Sequence, residues 1–139
     1  MNGVIGILRN VTICDNTGGT YKAGLYLEQG SDTTTVENSI IRGNQGDEVY
    51  LNGHPVAISY SDVEGGYTGE GNFDENPLFV QGYYLSHTFA GQPANSPCKD
   101  AGDPDAEMIE GATITLKLQD RPDMDCGYHY PLTGDGYVP

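Results

Sequence analysis

The chain has 139 residues, enough for one domain with a real core, and its formal charge of −14 comes from 20 acidic residues against only 6 cations. That balance argues against a nucleic-acid partner, which needs a basic footprint, and against an anionic lipid surface. No apolar run approaches the roughly 20 residues that would span a bilayer, so no membrane partner is expected.

In composition the chain is turn-rich: 20 glycines and 8 prolines separate short apolar segments of Val, Ile, Tyr and Thr. This pattern predicts an all-β protein. The opening Met1-Asn-Gly-Val-Ile-Gly-Ile-Leu-Arg9 has no basic leader and too short an apolar stretch for a signal peptide. The chain is therefore expected not to be exported by itself, or to be the tail of something longer.

One motif then recurs three times. Leu8-Arg-Asn10-Val-Thr-Ile13-Cys-Asp-Asn16 is matched by Val36-Glu-Asn38-Ser-Ile-Ile41-Arg-Gly-Asn44. A weaker copy reads Ile58-Ser-Tyr60-Ser-Asp-Val63-Glu-Gly-Gly66. The copies begin 28 and then 22 residues apart. A period of about 20 to 30 residues built from short strands signals a solenoid.

Each predicted coil has three strands. One is Gly24-Leu-Tyr26-Leu27, matched by Glu48-Val-Tyr50-Leu51 and, as a third candidate, Pro77-Leu-Phe-Val80. The second ends at Leu8, Val36 and Ile58, and the third centres on Ile13, Ile41 and Val63. Stacking like on like fills the interior with aliphatic rows and pairs each strand in parallel with its counterpart in the next coil.

Asn10 and Asn38 fall at one predicted corner, where Asn tolerates turn backbone and its amides can stack as a ladder. Tyr60 breaks that ladder. Asn16 and Asn44 mark the next corner, with Gly66 as their third member. Asn10-Val-Thr12 matches the glycosylation pattern, but a ladder Asn is a poor acceptor. The loops differ most between coils, and two of them carry Tyr21, Tyr67 and Phe73 beside glycines and carboxylates. Those three aromatics are the candidate platforms for stacking on sugar rings.

The stretch Tyr60-Ser-Asp-Val-Glu-Gly-Gly-Tyr67, followed by Gly69-Glu-Gly-Asn72-Phe-Asp-Glu-Asn-Pro77-Leu-Phe-Val80, resembles the closing coils of bacterial right-handed parallel β-helix repeat proteins. Ser96-Pro-Cys-Lys-Asp-Ala-Gly-Asp-Pro104 resembles the segment after their last full coil, and Asp120-Arg-Pro-Asp-Met-Asp-Cys-Gly-Tyr-His-Tyr-Pro131 resembles their terminal flourish. The resemblance implies a right-handed parallel β-helix of about three coils over 1–80. An irregular C-terminal cap over 81–139 would close it, with Tyr83-Tyr-Leu85 and Ile114-Thr-Leu-Lys-Leu118 as extra strands. It also implies polysaccharide-associated work in an extracellular or cell-surface location, the scaffold being that of pectate-lyase-like enzymes.

At the other end, Gly3 to Leu8 runs straight into a coil with nothing amphipathic before it. Open strand edges invite pairing. A homodimer through this uncapped first coil is therefore expected.

Candidate chemistry is sparse. Cys98 and Cys126 are either a disulfide or two reduced thiols. A lyase on this scaffold needs an Arg base with calcium-holding carboxylates. Arg9 and Arg42 are the cations on the repeated strands, and Arg42 is expected to form a surface pair with Glu64. Asp62 and Glu64 share a strand face, but no clear acid–base pair assembles as a glycosidase requires. His54, His87 and His129 lack ligand spacing for zinc. Two clusters, Asp100, Asp103 and Asp105, then Asp120, Asp123 and Asp125, are either turn formers or, if the cap brings them together, a Ca2+ site.

These readings converge on a non-catalytic surface module that binds carbohydrate or mediates adhesion. The alternatives are a polysaccharide lyase or glycoside hydrolase completed by other coils or a partner chain, and a structural cap without a ligand.

Overall fold

The computed structural model describes residues 6–18 and 23–106, and among these it contains strands, one short 3-10 turn and no α-helix. Eight strands come first: β1 (Ile7–Arg9), β2 (Thr12–Cys14), β3 (Ala23–Glu28), β4 (Thr34–Glu37), β5 (Ile40–Arg42), β6 (Asp47–Asn52), β7 (Val56–Ser59) and β8 (Asp62–Val63). They form three parallel sheets, ordered β1-β4-β7, β2-β5-β8 and β3-β6. The chain visits the three sheets in rotation, so strands adjacent in sequence never pair with each other.

The register is the one that superposes the aliphatic rows. Leu8 pairs with Val36 and Val36 with Ile58. Ile13 pairs with Ile41 and Ile41 with Val63. In the remaining sheet Leu25 meets Val49, Tyr26 meets Tyr50 and Leu27 meets Leu51. A slip by one residue would turn each row to the opposite face, which fixes the register. Val36, Ile41, Ile58 and Val63 are thereby buried as one cluster, with Leu8, Ile13, Leu25, Val49, Val56 and Tyr67 packed on it. Each such side chain contributes about 1.5–3 kcal/mol when fully buried.

Between the first two sheets the backbone turns at a left-handed residue each time: Asn10 at φ 54°, Asn38 at φ 51° and Tyr60 at φ 48°. Asn suits that conformation because its short polar side chain bonds locally, whereas Tyr60 holds it at a cost of about 1–2 kcal/mol.

The amide ladder expected at Asn10 and Asn38 is not formed there. Asn38 Oδ1 instead accepts from the Asp103 N–H at 2.7 Å, so the later part of the chain takes that amide. Hydroxyls do the stacking one residue on: Val11 N–H donates to Ser39 Oγ at 3.3 Å and Ser39 N–H to Ser61 Oγ at 3.1 Å. Ser61 N–H then donates to Asn72 Oδ1 at 3.0 Å. The asparagine ladder lies at the next corner, where Asn44 Oδ1 receives Asn16 Nδ2 at 2.8 Å and the Asn16 N–H at 3.1 Å.

After β8 the chain closes over the apolar column. Gly65 and Gly66 reverse it at φ 80° and 79°, and Tyr67 packs onto the cluster. Gly69 passes against the Ile58 carbonyl so closely that a Cβ would collide with it. Asn72 Nδ2 donates to Ile58 O at 2.9 Å, fastening the loop.

The segment Pro77–Val80 is not a third copy of the Tyr-Leu strand. Its residues Phe79–Val80 form β9, which pairs antiparallel with β10 (Tyr84–Leu85). Left-handed Gln81 at φ 46° and Gly82 at φ 88° reverse the chain between them, and β9 pairs with β10 rather than with β6. This later segment seats a second cluster, Ile40, Leu85 and Cys98, with Cys14, Phe73, Phe79 and Ala101 against it. The strand expected at Ile114–Leu118 lies outside the described residues.

Candidate functional site

Two polar constellations stand out, one sealed and one open. The sealed one begins on β5, whose Arg42 side chain turns away from the apolar column. Its Nη1 lies 2.7 Å from Asp62 Oδ1 and 2.9 Å from Asp74 Oδ1. The expected partner Glu64 is farther, at 4.0 Å from Nη2, and uses its other oxygen to accept the Gly43 N–H at 2.7 Å. Asp62 is 0% exposed, and its carboxylate also accepts from the Glu75 N–H at 3.1 Å and the Cys98 thiol at 3.4 Å.

Burial raises the Asp62 carboxyl above its ordinary value, outweighing the lowering by Glu75, Arg42 and Cys98. Burial works against the Arg42 charge too, but the bonds and charges of Asp74 and Asp62 prevail and raise its value. Burial, joined by the neighbouring Asp62 charge, pushes the Cys98 thiol up. Asp62 itself is closed off, while Asp74 and Glu64 form the group's solvent-facing side. Chemically it is a clamp, joining β5 and β8 to the 73–75 turn and the Cys98 turn.

The open constellation lies at the first corner. Arg9 pairs with Glu37 across β1 and β4, with Nε 2.6 Å from Glu37 Oε2. Beyond them come Asn10 and Asn38, and over Asn38 passes the Asp103–Asp105 turn, in which Asp103 Oδ1 accepts the Asp105 N–H at 2.9 Å. These residues and Ala106 line a cleft of about 390 Å³. Asn10 Oδ1 is shielded from bulk water there and has no hydrogen-bond partner among the described residues. In the third corner position, Tyr60 hydrogen-bonds Glu70, which, with the nearby Asp103 and Asp105 charges, raises the phenol above its usual value.

The candidates from sequence are placed as follows. Tyr67 and Phe73 are half-buried and pack on the two apolar clusters, and neither lines the cleft. Tyr21 lies outside the described residues. Asp103 and Asp105 do reach the cleft, whereas Asp100 pairs with Lys99. Among the described residues no group of three or more His, Cys, Asp or Glu is arranged to hold a metal ion. Asp120, Asp123 and Asp125 lie outside them. Cys98 carries a free thiol on Asp62, and its proposed partner Cys126 is not among the described residues.

Sequence reasoning missed Arg9, Asn10, Glu37 and Asn38 as a cleft. A signal existed: Arg9 and Glu37 occupy the same position of successive copies with opposite charge. Comparison with protein-family models, with curated proteins and with solved structures finds no match to this chain.

Proposed function

We propose that the chain is a right-handed parallel β-helix module that binds carbohydrate at the Arg9–Asn38 corner without turning it over. The β-helix reading is supported by the rotation of the chain through three parallel sheets and by the strong preference of parallel crossovers for the right hand.

One observation carries the binding reading. A cleft of about 390 Å³ brings together a guanidinium, three carboxylates and two side-chain amides. Sugar hydroxyls both donate and accept, and such a mixed set of groups suits them. With a net charge of −14, the chain favours neutral glycans over uronate polymers. Such a module would work in an extracellular or cell-surface setting, where polysaccharide is met.

The reading without turnover is favoured by what the cleft's groups already do. Arg9 is engaged by Glu37, and Asp103 fastens its own turn. Isothermal titration with cellohexaose, xylohexaose and mannohexaose, run beside a reducing-sugar assay, tests this. Heat of binding without release of reducing ends is the expected result, and release of reducing ends would favour a hydrolase instead.

A further inference from the structure

Of the three parallel sheets, β3-β6 alone has two strands, and β9, the candidate for its third, pairs antiparallel with β10 instead. β6 therefore ends the sheet with an open edge: among the described residues its backbone pairs only with β3. Gln29 N–H donates to Asn52 O at 3.0 Å, which shows that Asn52 turns its backbone groups toward β3. By alternation Tyr50 and Glu48 do the same, leaving the N–H and C=O of Asp47, Val49 and Leu51 on the open side. The edge is also apolar for its position, with Tyr50 41% and Leu51 38% exposed. A six-residue edge of this kind is a template for another strand.

The side chains select the occupant. Laid antiparallel on itself about Tyr50, β6 places Val49 of one copy opposite Leu51 of the other, and Glu48 opposite Asn52. Asp47 then meets the small Gly53. No carboxylate faces a carboxylate. The Val49–Leu51 pairs are those whose free N–H and C=O groups point outward, giving four backbone bonds. Tyr50 meets Tyr50 at the non-hydrogen-bonded position, where side chains come closest. Within one copy Tyr26 and Tyr50 already stack, with centroids 5.5 Å apart and planes 8° from parallel, so the row would extend to four rings. A parallel arrangement would set Asp47 and Glu48 against their own kind.

We infer that β6 is the seam of a two-fold dimer, a second copy of this chain supplying the missing third strand. The dimer expected from the sequence is thereby carried by β6 rather than by the first coil. Because each copy carries a charge of −14, the pairing strengthens as salt screens their repulsion.

Sedimentation equilibrium of the full chain between about 10 and 500 µM, in low and in high sodium chloride, tests the seam. The expected result is a monomer–dimer equilibrium that tightens with salt. Leu51→Pro removes an outward N–H without touching a β3 bond, and Tyr50→Lys sets two cations face to face; each should abolish the dimer at unchanged far-ultraviolet circular dichroism. If Leu51→Pro fails to fold, Tyr50→Lys decides alone. A wild-type chain that stays monomeric at the highest concentration and salt overturns the inference, because the edge is then left open or covered by the rest of the chain. Dimers that persist in the folded variants overturn it equally, by placing the seam elsewhere.

Discussion

Arg42 Nη1 stands 2.7 Å from Asp62 Oδ1, and the carboxylate it holds is sealed from water while the guanidinium side chain stays 16% exposed. Two opposed effects meet in this pair. Attraction and hydrogen bonds favour the charges, and the loss of hydration disfavours the buried one. Removing the carboxylate leaves the Glu75 N–H and the Cys98 thiol without their acceptor and takes from Arg42 its buried partner, with Asp74 remaining. Asp62→Ala is expected to cost about 3 kcal/mol of stability in urea denaturation, and Asp62→Asn, which keeps an acceptor, considerably less.

The same pair sets a pH dependence with a definite sign. The folded Asp62 carboxyl sits above its ordinary value of 3.8, so the native state holds this proton more tightly than the unfolded chain does. Its contribution is fully present below 3.8 and is lost as pH rises through the folded value. Measured from pH 3 to 7, the stability of wild type relative to Asp62→Asn should therefore fall as pH rises. A relative gain for wild type over that range would contradict burial as the dominant effect.

Asn44 and Asn10 should respond in opposite ways to substitution. Asn44 Oδ1 receives two donors from Asn16, and its Nδ2 donates to Ile13 O at 2.9 Å. Asn44→Ala leaves those groups unmatched and should cost about 2 kcal/mol by chemical denaturation. Asn10 makes no side-chain bond among the described residues and holds φ 54°. Asn10→Gly should leave stability within about 0.5 kcal/mol of wild type, since glycine adopts that backbone without strain.

Thiol reactivity reports the closed state of the second cluster. Burial lifts the Cys14 thiol to about 11, and Cys98 is buried beside Asp62. At pH 8 only about one Cys14 in a thousand is then thiolate, the reactive form. Iodoacetamide labelling mapped by mass spectrometry should modify both residues far more slowly in the native chain than in urea. Equal rates in the two states would show that the 79–106 segment does not stay seated.

Gly69 tests the closing loop. A methyl group there meets the Ile58 carbonyl, so Gly69→Ala should lower the melting temperature by many degrees. Gly53→Ala is the contrast: φ is 73° but nothing lies within 4 Å, so only the backbone strain of about 1 kcal/mol should be seen.

Much of the strand pairing was legible in the sequence because aliphatic residues must stack on residues of like shape. Leu8, Val36 and Ile58 could be aligned from their spacing alone, as could Ile13, Ile41 and Val63. Polar partners were less legible, because an amide takes whichever donor the rest of the fold delivers. Asn38 was read as a ladder residue, and Asp103, 65 residues later, claimed it. Asp62 was read as half of a strand-face pair with Glu64. Its burial depends on Cys98 and Phe73 arriving over β5 and β8, which no local pattern encodes. The reversal at Gln81 and Gly82 was missed although Gly82 is a turn former, because Pro77-Leu-Phe-Val80 was read from its apolar run alone.

The most direct test of the account is a nuclear magnetic resonance titration of the isotope-labelled chain with cellohexaose, xylohexaose and mannohexaose. Binding at the corner predicts that one of these sugars shifts the amides of Arg9, Asn10, Asn38 and Asp103, and that Asp103→Ala weakens the effect. Shifts confined to Tyr67 and Phe73, or none with any of the three at millimolar sugar, would contradict it.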